Sequence, residues 1–124
     1  MIHYSHVCLD TFGYQLPPRI VTSGEIEQRL SPLYDRLRLP LGRLELMTGI
    51  RERRLWPEGT RPSEAATLAG KKVFSSGDID PGEIECLIFT SVSRDMMEPA
   101  TASFVHNNLG LPSSCLLFDI SNAC

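Results

Sequence analysis

The feature that most constrains the fold of this chain is a continuous apolar run over Glu85–Val92, which has the length of one β-strand. Alternating apolar and polar residues are typical of a strand with one face in water, whereas unbroken apolarity indicates a strand covered on both faces. A second strand-like run lies at Cys115–Ile120. Since helical patterns separate these runs, the order of elements predicts an α/β layered fold.

Helix signals lie before and between the two runs. Thr22 and Glu25 have the spacing of a capping box, and Pro32 is expected to bend or end the helix that they start. Two further helices are predicted over residues 61–77 and 100–109, each ended by a glycine.

Four shorter segments complete the prediction of secondary structure. We expect a short strand at Ile2–Leu9, a connector with a short helical turn at Leu39–Thr48, an extended charged segment at an edge or surface at Ile50–Trp56, and one helical turn beginning at Asp80–Pro81.

The composition is that of an ordinary globular protein. The 124 residues suffice for one small domain, with 42% hydrophobic and 22% charged residues. The net charge of -3 provides no basic footprint for nucleic acid, and no apolar run approaches the roughly 20 residues that span a bilayer. The N-terminus lacks the pattern of a signal peptide. The cysteines are widely spaced, which favours reduced thiols in a cytoplasm; they are Cys8, Cys86, Cys115 and Cys124.

His3, His6 and Cys8 lie close enough in sequence to suggest a metal site. In a strand, however, His6 and Cys8 share one face while His3 points to the other. No second group of ligands follows, so the sequence favours ordinary side chains over a metal centre.

Three arginines lie within four positions, at Arg51, Arg53 and Arg54. Arginine suits phosphate oxygens, so this group is a candidate contact to a phosphate-bearing molecule. The competing interpretation is a solvated charged ribbon, which the sequence alone favours.

Cys124 follows a predicted strand, Leu116–Ile120, and a stretch of small residues, Ser121–Ala123. A strand followed by a tight turn is one arrangement that exposes a nucleophilic cysteine. A helix that begins at the cysteine would favour its thiolate, because the N-terminus of a helix stabilises negative charge. The alternative is a buried structural cysteine. We therefore expect the chain to be the front part of a larger fold, truncated at its nucleophile.

A polar loop, Ser93–Pro99, leaves the first of the two predicted strands and carries Glu98. Catalytic groups of α/β folds tend to lie at the carboxyl ends of strands, which makes Glu98 and Cys124 the two candidates in this chain. For a lone loop glutamate, the competing interpretation is a solvated side chain.

Several segments together carry a resemblance: Thr48–Arg54, Glu83–Ser91, Asn108–Pro112 and Phe118–Cys124, with Arg53–Trp56 and Thr90–Ser103 in addition. The first four resemble the 3-ketoacyl-acyl carrier protein synthase III family of the thiolase superfamily. The last two are most similar to the acyl-CoA condensing synthases of long-chain olefin biosynthesis within it. The order and spacing of these motifs are more specific than any one motif.

The resemblance implies a thiolase fold, layered α/β/α/β/α, of which residues 1–124 are an incomplete N-terminal half. It implies that Cys124 is the nucleophile acylated by a fatty acyl thioester. It further implies that Glu98 crosses the interface of a homodimer and deprotonates the α-carbon of the second acyl chain.

Three more residues are candidates for substrate binding. Met96 and Met97 are flexible apolar side chains that suit an acyl channel. Of the three arginines at positions 51, 53 and 54, Arg51 is the candidate for substrate binding.

The resemblance implies a cytoplasmic acyltransferase of fatty acid and lipid metabolism, with acyl-CoA as substrate and no other cofactor. Its expected partners are acyl-CoA or acyl carrier protein thioesters and the C-terminal half of the same fold. The leading function is a Claisen condensation of two acyl-CoAs, head to head, to a 3-keto product through an acyl-cysteine. Without a malonyl donor, no decarboxylation supplies the carbanion, so a base must.

Two alternatives stay open. One is an initiating 3-ketoacyl-acyl carrier protein synthase III that uses malonyl-acyl carrier protein. The other is a non-catalytic truncated subunit that supports an active synthase.

The chain departs from the family pattern in two places. Arg43 stands where family members that stack the CoA adenine often have a tryptophan. The catalytic histidine and asparagine of the family have no counterpart here, because His3, His6 and His106 do not match that histidine.

Overall fold

The described part of the chain, residues 4–77 and 79–122 of a computed structural model, forms two units. The antiparallel unit is Leu16–Gly59, and the βαβ unit combines the described residues before Leu16 with those from Thr60 onward. The expectation that residues 1–124 form one incomplete half of a larger fold stays a prediction.

The antiparallel unit is built on two short strands, β1 (Arg19–Thr22) and β2 (Glu52–Leu55), with Val21 opposite Arg53. Strand β2 confirms the extended charged segment predicted at residues 50–56, since most of it is exposed. Strand β1 was not predicted, because four residues after a pair of prolines are too few to show a period of two. Its pairing with β2 makes it a strand.

Helix α1 (Ser23–Arg29) begins at the predicted capping box. The Thr22 Oγ1 accepts from the Glu25 backbone N–H at 3.1 Å, and the Glu25 carboxylate accepts from the Thr22 backbone N–H at 2.6 Å. This backbone hydrogen bond from Thr22 holds the pKa of Glu25 below its ordinary value.

Two short helices follow, α2 (Ser31–Leu37) and α3 (Arg43–Thr48). Pro32 lies in the first turn of α2, which confirms the predicted break in the helical pattern. Helix α3 confirms the helical turn expected in the connector at residues 39–48.

A buried glutamate holds these helices together. Glu27 on α1 is 2% exposed, and its carboxylate accepts the backbone N–H groups of Gly42 at 2.6 Å and Leu44 at 2.7 Å. The Tyr34 hydroxyl donates to it at 3.1 Å. The hydrogen bond from Leu44, the largest cause, and that from Gly42 lower the pKa of Glu27 from 4.5.

We expect Glu27→Gln to lower the melting temperature of the protein by several degrees at pH 7, whereas Glu45→Gln on exposed α3 changes it little. An amide has one acceptor oxygen, so its NH₂ group would face a backbone N–H. Because the folded pKa is depressed, this stabilisation is fully present above the pKa of the unfolded chain and is lost as the pH falls through the folded pKa. Thermal unfolding from pH 7 to pH 3 measures it; equal losses for both variants contradict the assignment.

The βαβ unit contains α4 (Pro62–Phe74), a single 3₁₀ turn (Pro81–Glu83), β3 (Cys86–Thr90), α5 (Thr101–Leu109) and β4 (Leu116–Ile120). Strands β3 and β4 are parallel neighbours, and α5 is the crossover between them. This arrangement confirms the α/β class and all five elements predicted from Thr60 onward.

The core of the βαβ unit lies around α5. Helix α4 approaches α5 closely at Gly70, where an added Cβ would lie 2.8 Å from Leu109 Cδ1. The buried apolar side chains of this unit are Ala102, Val105, Leu111 and Cys115.

The strand predicted at residues 2–9 is wrong for residues 4–9, and residues 2 and 3 lie outside the described range. Residues 4–9 are irregular, and Tyr4, Val7 and Leu9 are exposed. Within the described chain, neither two-stranded sheet includes this segment as a partner, so its pattern alone does not make it a strand.

The expectation that β3 is covered on both faces is met on one face by the described chain, and on the other face it stays a prediction. Leu87 and Phe89 lie on the partly buried face. On the other face, Ile88 is 51% exposed, and its neighbour Phe118 on β4 is 50% exposed. The apolar residues on this second face are therefore left uncovered by α4 and α5.

Candidate functional site

The carboxyl ends of β3 and β4 meet at a cavity of about 330 Å³. Parallel strands end at the same edge of a sheet, which is where α/β folds commonly place their sites. The described residues that line the cavity are Thr90, Ser91, Val92, Ile120 and Asn122.

Hydrogen bonds join the two strand ends beyond the regular ladder. The Ser91 backbone N–H donates to the Ile120 carbonyl at 3.2 Å, and the Ser121 hydroxyl donates to the Ser91 carbonyl at 2.8 Å. The Ser91 hydroxyl accepts from the Ser93 N–H at 3.0 Å. These contacts fix where the chain leaves each strand.

Cys124 lies outside the described residues, so its role stays a prediction. Asn122, two positions earlier in the sequence, lines the cavity. The last described part of the chain therefore runs along the strand-end cavity.

The loop after β3 carries the other candidate residues at its exposed tip, Met96–Pro99. Met97 is 81% exposed, Met96 is 42% exposed, and Glu98 is exposed as well. Among the described residues that line the cavity, none belongs to this tip. A tip so open is available to a substrate or to another polypeptide.

Arg51 lies in the antiparallel unit, immediately before β2, with its side chain exposed. Two neighbours have structural partners: Arg53 Nη1 donates to Ser23 Oγ at 3.0 Å, and Arg54 Nη1 donates to the Pro17 carbonyl at 3.3 Å. Of the three arginines, Arg53 and Arg54 therefore stabilise the β1–β2 ribbon.

The described residues contain no group of three or more His, Cys, Asp or Glu side chains arranged to hold a metal ion. His6 and Cys8 are exposed, and His3 lies outside the described range.

Sequence reasoning missed two aspartates at the start of helices. Asp119 on β4 accepts the Thr101 N–H at 2.7 Å and the Ala102 N–H at 2.8 Å, both in the first turn of α5. Asp95 accepts the N–H and the hydroxyl of Ser63, in the first turn of α4, at 2.9 and 2.5 Å. A carboxylate at a helix N-terminus satisfies free N–H groups and complements the helix dipole.

Local sequence carries no signal for these caps. Asp119 lies 18 positions from Thr101, and Asp95 lies 32 positions from Ser63. The sequence gives one indirect signal: neither helix is directly preceded by a residue whose side chain caps it, so a cap has to come from elsewhere in the chain.

The chain matches known proteins over nearly its whole length. It is 43% identical over 121 residues to the acyl-CoA:acyl-CoA alkyltransferase of Shewanella oneidensis, covering 98% of this chain and 35% of that protein. It is 47% identical over 107 residues to the protein of the same name from Xanthomonas campestris, covering 86% and 32%. The β-ketoacyl-[acyl-carrier-protein] synthase III of Koribacter versatilis is 34% identical, over 94% of this chain and 32% of that protein.

Solved structures agree with the sequence matches. The structure of a glutamate-to-glutamine variant of Xanthomonas campestris OleA superimposes with a TM-score of 0.85 at 43% identity, covering 91% of this chain and 33% of that chain. A cerulenin-bound structure of the same protein also has a TM-score of 0.85. No family model matches the chain.

Fold and sequence together define the class: the chain is homologous to the N-terminal part of thiolase-fold acyltransferases. Among these, it is more similar to the acyl-CoA:acyl-CoA alkyltransferases, such as OleA, than to the synthase III of Koribacter versatilis. The chain spans about a third of the length of the curated relatives that it matches.

Proposed function

We propose that the protein containing this chain joins two fatty acyl-CoA molecules by a head-to-head Claisen condensation to a 3-keto product. The observation that carries the proposal is the 43% identity to an acyl-CoA:acyl-CoA alkyltransferase over 98% of this chain. The strand-end cavity supports it, because the chain passes this cavity just before Cys124.

The chemistry needs two groups. The Cys124 thiolate attacks the first thioester, a C–S bond forms to the cysteine, and CoA leaves as its thiol after taking up a proton. Glu98 removes the α-proton of the second acyl-CoA, and the carbanion attacks the acyl-cysteine carbonyl. A C–C bond forms, the cysteine C–S bond breaks, and a 3-ketoacyl-CoA leaves.

The exposed tip of the loop supports a role in binding. Met96 and Met97 offer apolar, adaptable side chains for an acyl chain, and Glu98 lies next to them. Arg51 is exposed and is proposed to contact a phosphate of CoA. CoA enters here as a substrate, and no other cofactor is proposed.

We further propose that the protein acts as a homodimer in which the Met96–Pro99 tip reaches the partner's cysteine. The open face of β3 and β4 is proposed to pack against the C-terminal half of the same fold, because its apolar side chains are about half exposed here. A place in fatty acid and lipid metabolism, in the cytoplasm, is part of this proposal. Within the described residues, none of the helices has the length and apolarity to span a bilayer.

Synthase III relatives at 34% and 32% identity support the second candidate, an initiating enzyme that condenses an acyl thioester with malonyl-acyl carrier protein. The third candidate is a non-catalytic subunit that supports an active synthase.

The products of the purified full-length protein distinguish the candidates. With a single acyl-CoA as the only substrate, we expect release of CoA thiol and a 3-keto product of twice the acyl length, detected by mass spectrometry. Product formation only after addition of malonyl-acyl carrier protein supports the initiating synthase. A protein that forms no product with either donor, but raises the activity of an added synthase, supports the accessory subunit.

A further inference from the structure

The loop that carries Glu98 is held at defined points. It leaves β3 at Ser91, which is tied to β4 by the hydrogen bonds to Ile120 and Ser121 described above. It rejoins regular structure at Thr101, whose backbone N–H is held by Asp119 of β4. Both ends of the loop are therefore fixed to the same strand.

Asp95 supplies a third point, between the two ends. Both of its carboxylate oxygens accept from Ser63, which is 3% exposed at the start of α4. Its own backbone N–H donates to the Thr101 hydroxyl at 3.4 Å, and Thr101 is fully buried. The loop is thus attached to α4 and α5 at one residue.

The four residues after Asp95, Met96–Pro99, are all exposed. The free part of the loop therefore begins directly at the attached residue, three positions before Glu98. A short peptide between a fixed residue and a fixed helix start can take few conformations, so the attachment restricts where Glu98 lies.

We propose that Asp95 is a positioning residue that holds the Glu98 tip in place through its paired hydrogen bonds with Ser63. This inference rests on the proposed role of Glu98 as the base. Catalysis by a base depends on its placement. A mutation far from the chemistry that displaces the reacting groups by about 1 Å can lower the rate by roughly 100-fold.

Four full-length proteins test the proposal: the parent, Asp95→Ala, Glu98→Gln and the double variant. We expect Asp95→Ala to lower condensation of two acyl-CoAs by roughly 10- to 100-fold while Cys124 is acylated at the parental rate. In the Glu98→Gln background, the same change should have almost no further effect, because the residue it positions has already lost its function. Asp95→Asn, which keeps one acceptor for the Ser63 N–H, should restore part of the rate.

Three outcomes overturn the inference: Asp95→Ala condensing at the parental rate, a fall in acylation as large as the fall in condensation, or effects that multiply in the double variant. If Asp95→Ala does not fold, Ser63→Ala removes one of the two hydrogen bonds and is judged by the same criteria. Asp80→Ala is the control, since Asp80 also caps a helical turn, through the Gly82 N–H, at the other end of β3. A Glu98→Gln protein at the parental rate instead refutes the proposed base, so the two failures are distinguishable.

Discussion

Replacing Cys124 by alanine in the full-length protein is expected to abolish acyl-enzyme formation and condensation, while acyl-CoA still binds. The thiolate is the only atom proposed to accept the acyl group, so no slower covalent route replaces it. Loss of a covalent nucleophile lowers turnover by roughly 10⁶-fold in a well-studied hydrolase, and we expect a loss of similar order. Intact mass spectrometry after mixing with acyl-CoA measures the acyl adduct.

The other three cysteines provide matched controls. Cys8 is exposed in the described chain and Cys115 is buried, while Cys86 lies on the open face of β3 that is proposed to be covered in the full-length protein. Brief iodoacetamide treatment at neutral pH should label Cys124 first if a helix N-terminus favours its thiolate. Faster labelling of Cys8 or Cys86 places the reactive thiol elsewhere, and a Cys86→Ser protein should condense acyl-CoA at the parental rate.

Changing Glu98 to glutamine is expected to leave Cys124 acylation and the homodimer intact while condensation falls by ~10²–10⁴-fold, the usual contribution of a general base. The amide keeps the size of the side chain but cannot take the α-proton. Single-turnover experiments separate the steps, because the release of free CoA thiol measures acylation and the appearance of the 3-keto product measures condensation.

Glu83→Gln is the control for the loss of one negative charge. Glu83 is also exposed, but it lies in the 3₁₀ turn before β3, away from the strand ends. It should leave both steps unchanged. Near-parental condensation by Glu98→Gln, or a strict need for malonyl-acyl carrier protein, contradicts the head-to-head assignment and favours the initiating synthase.

Sequence reasoning succeeded where the determining contacts are local. Thr22 and Glu25 are three positions apart, so the capping box and the start of α1 follow from the sequence alone. The end of α5 at Gly110, which has a φ of 67°, follows from the ease with which glycine adopts the left-handed conformation. The apolar runs of β3 and β4 likewise identified the strands whose ends form the cavity.

Tertiary structure decided the features that depend on distant partners. Strand β1 exists because residues 30 or more positions away in β2 pair with it, and residues 4–9 show that a strand-like pattern without a partner stays irregular. The attachment of Asp95 to Ser63, 32 positions apart, has no counterpart in any local pattern. The sequence alone thus determined the helices, the strands β2, β3 and β4, and which side chains follow the strand ends. The contacts of the folded chain decided which of those strands pair and what holds Glu98, because backbone and carboxylate hydrogen bonds are satisfied by whichever donor the fold brings near.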